Sequence, residues 1–220
     1  MRLVLMSDTH GYHSKVKVPP GDVLIHTGDW SGYGTEEELV YFVQWLSNLS
    51  HKVKIVVPGN HDRALERDSR LLDLFGGVAE CLFNDETTCR GYKFWGSPYQ
   101  PWFNNWAFNL PRNGEELRKN WAQIPDDTDI LLTHCPPHGI LDRVGSEACG
   151  CEFLIERVKE VKPAIHVFGH IHESRGFNEH TVEGVHFFNA TLLDGAYRMV
   201  HNPIVIDVED SGYRIEIVSH

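Results

Sequence analysis

The stretch Val53-Lys54-Ile55-Val56-Val57-Pro58-Gly59-Asn60-His61-Asp62 joins a β-branched run to a polar turn, and this junction decides how the rest of the chain reads. Pro58 and Gly59 stop the run, so Asn60 and His61 are expected just past the C-terminal end of a buried strand. Open α/β sheets carry their chemistry at that end. An amide oxygen is a neutral hard ligand and an imidazole titrates near neutrality, so the pair suits metal binding combined with proton transfer.

The same junction recurs on both sides of it. Arg2 to Met6 is an apolar run that delivers Ser7-Asp8-Thr9-His10-Gly11, and Asp22 to His26 delivers Thr27-Gly28-Asp29-Trp30. Asp129 to Thr133 leads into His134-Cys135-Pro136-Pro137-His138, and Ala164 to Phe168 leads into Gly169-His170-Ile171-His172. Side chains alternate along an extended segment, so Asp8-x-His10 and His170-x-His172 are each expected to project together. Between the runs, Thr35 with Glu38 reads as a capping box for a helix to about Leu49, with Leu39, Phe42, Val43 and Leu46 inward. Helices are also expected over Ala64 to Phe75, Glu115 to Trp121 and Cys151 to Val161. Short strands fill Ala79 to Trp95 as a meander, and Pro203 to Val208 and Tyr213 to Val218 alternate as two more. Ser97 to Arg112 is rich in aromatics and reads as a structural plug or a substrate wall.

Composition narrows the function. The 220 residues carry a formal charge of −11, which argues against a nucleic-acid surface built on clustered Lys and Arg. An acidic protein that handles phosphate needs local positive charge, and bound divalent ions supply it. Five cysteines without Cys-x-x-Cys spacing suggest neither a disulfide framework nor a zinc ribbon, and point to a reducing, cytoplasmic setting. No apolar run reaches the length of a membrane span. Without linker, repeat or low-complexity tract, residues 1–220 read as a single domain.

Asp8, His10, Asp29, Asn60, His134, His170 and His172 make seven candidate ligands at five strand ends, too many for one ion that keeps an open position. Two ions about 3.5–4 Å apart, the arrangement that clamps an in-line displacement at phosphorus, account for them. Carboxylate, imidazole and amide oxygen together suit manganese, iron or zinc better than calcium, and manganese is the first expectation.

Asp8-x-His10, Gly28-Asp29, Gly59-Asn60-His61-Asp62, His134 and Gly169-His170-x-His172 resemble, in order, the five blocks of the calcineurin-like metallophosphoesterases. His26-Thr27-Gly28-Asp29 and the tail from Asn189-Ala190 through Asn202-Pro203-Ile204-Val205 resemble more narrowly the metallophosphoesterase-domain-containing (MPPED-like) proteins. The resemblance implies an α/β/β/α sandwich of two mixed sheets flanked by helices. It implies one metal on Asp8, His10, Asp29 and His172, another on Asp29, Asn60, His134 and His170, and a bridging hydroxide. His61 would then be a proton donor to the leaving oxygen, with Asp62 orienting it or holding the turn. The implied activity is hydrolysis of phosphodiesters, small or cyclic nucleotides in particular. Phosphomonoester hydrolysis and slow nucleotide binding are the alternatives. Candidate substrate contacts are Asn60, His61, His138 and Trp30, with Trp30, Trp102, Phe103 and Trp106 able to stack a base. His138 is equally a loop-packing residue, and His26 reads as core or ligand support.

Overall fold

A computed structural model of the chain describes residues 1–178 and 182–209 and the backbone of 215–219. Two six-stranded sheets face each other. The first is ordered Ile215–Ser219, Ile204–Val208, Arg2–Met6, Val23–His26, Val53–Val56, Glu80–Cys81. Its four strands from Arg2–Met6 onward are parallel, and the two at the other edge are antiparallel. The second sheet runs Gly176–Phe177, His186–Asn189, Ile165–Phe168, Ile130–Thr133, Tyr92–Ser97, Asp85–Cys89, parallel in its centre and antiparallel at both edges.

The central strands are buried on both faces, which is why their sequences are continuous apolar runs rather than alternating ones. Leu3, Leu5, Val23, Ile25 and Ile55 of the first sheet meet Phe94, Ile130, Leu132, Ile165 and Val167 of the second in a shared core. On the outer face of the first sheet, Val4, Met6, Leu24 and Val56 pack under Leu39, Phe42, Val43 and Leu46 of the Glu36–Ser47 helix. On the outer face of the second, Trp95, Leu131, Phe168 and Phe187 pack under the Glu115–Trp121 and Glu152–Val161 helices. Helix, sheet, sheet, helix is the layering that the family resemblance implies. The expected capping box is present, with Thr35 accepting from the Glu38 amide and Glu38 returning a bond to the Thr35 amide.

Three segments depart from expectation. Ala79 to Trp95 is not one meander: Glu80–Cys81 pairs parallel with Val53–Val56 at the edge of the first sheet, and only Asp85–Cys89 and Tyr92–Ser97 form a hairpin, in the second. Ala64 to Phe75 is not one helix: the α-helix is Arg63–Arg67, and a 3-10 helix follows over Ser69–Phe75. Asp68 is extended between them and accepts the Arg70 amide, the side-chain capping by which Asp interrupts helices. In the aromatic stretch, Gln100–Pro101 pairs with Asn109–Leu110, leaving 102–108 as a loop. Of the expected Tyr213 to Val218 strand, Ile215–Ser219 is described, while Tyr213 and Arg214 lie outside the described residues. Among the described residues no helix is long and apolar enough to cross a membrane.

Candidate functional site

The parallel strands of both sheets end on the same side, and the turns that follow bring all seven candidate ligands together. Ligand atoms of Asp8, His10 and His172 lie within 4.8 Å of one another, as do those of Asp29, His134 and His170. Asp29 joins the two sets: its Oδ2 is 3.7 Å from His10 Nε2 and 3.4 Å from His134 Nε2. Asn60 Oδ1 is 2.9 Å from His134 Nε2 on the second side. Asp8 and His10 project together as expected, but not from an extended segment, and His170 and His172 do not project together. Asp8, His10, Asp29 and His170 all have left-handed backbones, with φ of 55°, 40°, 57° and 69°. That curl separates His170 from His172, sending one to each set. Such strained residues persist only where the surroundings over-determine them, and they concentrate at functional sites.

The imidazoles are aimed from behind. His134 Nδ1 bonds the Thr27 carbonyl at 2.8 Å and His172 Nδ1 bonds the Asp194 carbonyl at 3.1 Å, so each turns Nε2 to the centre. This is how metal-ligating histidines are held. Asp8 is anchored by the His170 amide, which donates to both its oxygens at 3.0 and 3.1 Å. The centre is buried: Asp8, Asp29, Asn60 and His134 are at most 2% exposed.

Electrostatics divide the imidazoles. Burial opposes charge on His134 and His172, yet Asp29 beside the first and Asp8 beside the second push them up to about 9 and about 8. Burial wins at His10 and His170, pushed down to about 4 and about 3. Burial likewise opposes ionisation of Asp8 and Asp29, but the surrounding imidazoles hold both below the usual carboxylate range. Two buried anions and an amide oxygen therefore converge with four ring nitrogens, and two of those, His10 Nε2 and His172 Nε2, face each other at 3.4 Å. Ring nitrogens converging on buried carboxylates are the donor set of a cation site, and these residues fit divalent ions.

His61 and Asp62 have different tasks. His61 Nδ1 bonds the Gly32 carbonyl at 2.8 Å, and its ring stands edge-on to His10 at 4.5 Å between centroids. Asp62 does not orient it. Its carboxylate accepts the amides of Gly59, Asp29 and Ser31 at 2.7, 2.8 and 3.0 Å, pinning the loop that carries Asp29 to the one that carries Asn60. Of its two expected roles, Asp62 thus takes the second and holds the turn. Burial, then the nearby Asp29 charge, push it up to about 8 against the Gly59 and Ser31 amides.

The family of the fold can be tested by comparison. The sequence model described as calcineurin-like phosphoesterase matches residues 1–174. The chain belongs to this family. It is 38% identical to the human metallophosphoesterase domain-containing protein 1 over 94% of its own length and 71% of that protein's. It is 36% identical to the Caenorhabditis elegans UPF0046 protein K07C11.7, over 93% of this chain and 74% of the other. The crystal structure of TT1561 of Thermus thermophilus superposes with a TM-score of 0.62 at 17% identity, covering 86% of this chain and 88% of that one, and so shares the fold. Family membership and the Asp/His clusters agree on a divalent-metal protein.

Beside the centre lies a cavity of about 720 Å³ whose lining includes Asn60, His61, His170 and His172 together with Glu147, Cys149 and Glu152. Trp102, Phe103 and Tyr197 line it with exposed rings. Two expected substrate contacts are absent from its wall. Trp30 is 1% exposed and stacked on Phe42 at 4.6 Å with the planes 6° apart, so it is core and not a base platform. His138 turns toward Asp142 and Glu152, with Nδ1 3.9 and 3.8 Å from their carboxylates, and packs its loop. His26 is buried against Thr9 and Phe42, supporting the ligand turns as expected. Tyr197 was missed by sequence reasoning. Its ring lies 4.9 Å from His10 and 5.0 Å from His172, and nothing around it in the sequence marks it.

Proposed function

We propose that this chain is a dinuclear metal-dependent phosphoesterase that hydrolyses small phosphodiesters, nucleotide diesters first among them. The observation that carries this reading is the pair of carboxylate–imidazole sets joined through one oxygen of Asp29. Asp8, His10, Asp29 and His172 would hold one ion and Asp29, Asn60, His134 and His170 the other, manganese first. Divalent ions there would offset phosphate charge and make water acidic enough to ionise near neutrality. The Gly32 carbonyl fixes the proton on His61 Nδ1, which leaves Nε2 to take up and deliver the proton at the leaving oxygen.

The cavity supports a substrate with a single phosphate. Its volume suits a mononucleotide-sized ligand, and the exposed rings of Trp102, Phe103 and Tyr197 offer stacking surfaces. Arg112 is the one Arg or Lys among its lining residues. That guanidinium is committed to Glu152 and to the carbonyls of Cys149 and Gly150 at 2.8–3.0 Å. No free Lys or Arg among the described lining residues is left to hold a second phosphate.

The test uses protein stripped of metal and reloaded with manganese, assayed on chromogenic phosphodiesters and on para-nitrophenyl phosphate. Asn60→Ala should bind one equivalent fewer metal. His61→Ala should keep both and lose rate by about 10²-fold or more. Turnover of the monoester alone would refute the diester reading, and identical behaviour of the two variants would refute the division of roles.

A further inference from the structure

We infer that Trp106 is a positioning residue for His61, holding the imidazole in the orientation that proton delivery requires; this rests on the proton-donor reading of His61. The two rings stack at 4.0 Å between centroids with the planes 25° apart. A single hydrogen bond, from His61 Nδ1 to the Gly32 carbonyl at 2.8 Å, leaves an imidazole free to swing about the line of that bond. A large ring laid over one face removes that freedom. His10 stands nearly perpendicular to His61, at 87° and 4.5 Å between centroids, and does not stack on it.

The indole can do this because its own loop is fixed to the same turn. The Ala107 amide donates to the Asn60 carbonyl at 3.1 Å, and the Phe108 amide donates to Glu66 Oε1 at 2.7 Å. The Asn109 amide nitrogen gathers the carbonyls of Phe103, Asn104 and Trp106 at 3.3, 3.2 and 2.9 Å. Ala107 and Phe108 are buried, and the Arg63 guanidinium carbon lies 5.5 Å over the Trp106 ring. The loop is thus double-purpose: Trp102 and Phe103 line the cavity, whereas Trp106 does not and is turned to His61. Trp106 cannot offer a substrate base the face that His61 occupies.

The experiment compares Trp106→Leu, which keeps apolar bulk without the stack, with Trp106→Phe, which restores an aromatic face, and with His61→Ala. Each manganese-loaded protein is assayed on aryl and alkyl phosphodiesters of graded leaving-group basicity, with metal content measured in parallel. Proton donation matters most for basic leaving groups, so Trp106→Leu should lower kcat by about 10-fold or more on alkyl esters and by less than about 3-fold on nitrophenyl esters. KM and metal content should be unchanged, and Trp106→Phe should recover most of the loss. Independently of turnover, in protein loaded with diamagnetic zinc the His61 ring resonances of Trp106→Leu should broaden while those of the other buried histidines do not. A uniform loss on all esters, or a loss of metal, would reduce Trp106 to a structural role and overturn the inference. If His61→Ala is selective for basic leaving groups and Trp106→Leu is not, the inference alone fails. If His61→Ala is not selective, the proton-donor reading fails and takes the inference with it.

Discussion

Trp30 follows Asp29, one of the central metal-ligand candidates, yet its substitution should register in stability and not in substrate binding. Truncating a fully buried Trp to Ala costs about 3–5 kcal/mol through lost burial and the cavity left behind. At about 2–4 °C per kcal/mol for a chain of this size, Trp30→Ala should melt roughly 6–20 °C lower. Trp30→Phe is the more discriminating variant. Its indole N–H is buried without a hydrogen-bond partner among the described residues, and an unmet donor costs about 1–3 kcal/mol. Phe gives up about 1–2 kcal/mol of apolar burial but removes that donor, and can still face Phe42 and Phe75. The two effects oppose each other, so the net change should lie between about 1 kcal/mol of destabilisation and about 2 kcal/mol of stabilisation.

The assay is a thermal melt in chelator, paired with kcat and KM of the manganese-loaded protein. Stacking on a base is worth about 1–3 kcal/mol, or roughly 5- to 150-fold in affinity, so a base platform replaced by Ala would show plainly in KM. An unchanged KM with a lowered melting temperature is expected for Trp30→Ala. A several-fold rise in KM with the melting temperature unmoved would refute the burial argument and return Trp30 to the cavity wall.

Asp62→Ala strips the acceptor from three buried amides at about 1–3 kcal/mol each, so the chelated protein should melt about 6 °C lower or more. Lost turnover with an unchanged melt would instead mark a chemical role. Manganese at about 100 times its dissociation constant should stabilise the fold by about 2.7 kcal/mol per site, roughly 5–11 °C by calorimetry, reversed by chelator. A shift absent in wild-type protein would contradict the metal assignment. Burial pushes His166 down to about 3, with Nε2 2.8 Å from Thr133 Oγ1, while an unfolded histidine titrates near about 6.5. Between those values the unfolded chain takes a proton that the native one refuses, so stability falls as pH falls, by about 1.4 kcal/mol per unit for this residue. Urea unfolding between pH 6.5 and 4.5 should show a shallower slope for His166→Phe; an unaltered slope would mean that His166 charges in the native state.

What the sequence disclosed follows from what leaves a trace in side-chain type. Buried parallel strands must be apolar throughout, so their ends stand out, and the ligands sit at those ends. The Thr35 and Glu38 side chains make the capping box themselves, so it too was legible. The groups that aim the imidazoles are carbonyls of Thr27, Gly32 and Asp194, and a backbone oxygen has no residue signature. The stack of Trp106 on His61 and the packing of Tyr197 against His10 join residues 45 and 187 positions apart, and only the folded chain pairs them.

The glycines of the site serve two different ends. In Gly28-Asp29, Gly59-Asn60 and Gly169-His170 a glycine precedes a ligand. Only Gly28 of the three has a φ above zero, whereas the following Asp29 and His170 take the left-handed conformation themselves. Gly59 and Gly169 are required for a different reason: a Cβ on Gly59 would collide with the Asp29 carboxylate, and one on Gly169 with the Asp8 carboxylate and the Ser7 hydroxyl. The space of a missing side chain is filled by a ligand oxygen, and the conformational strain is carried by the ligands. Alanine at Gly59 or Gly169 is therefore compatible with the backbone angles and incompatible with the carboxylates, so its damage should fall on metal occupancy before it falls on the fold.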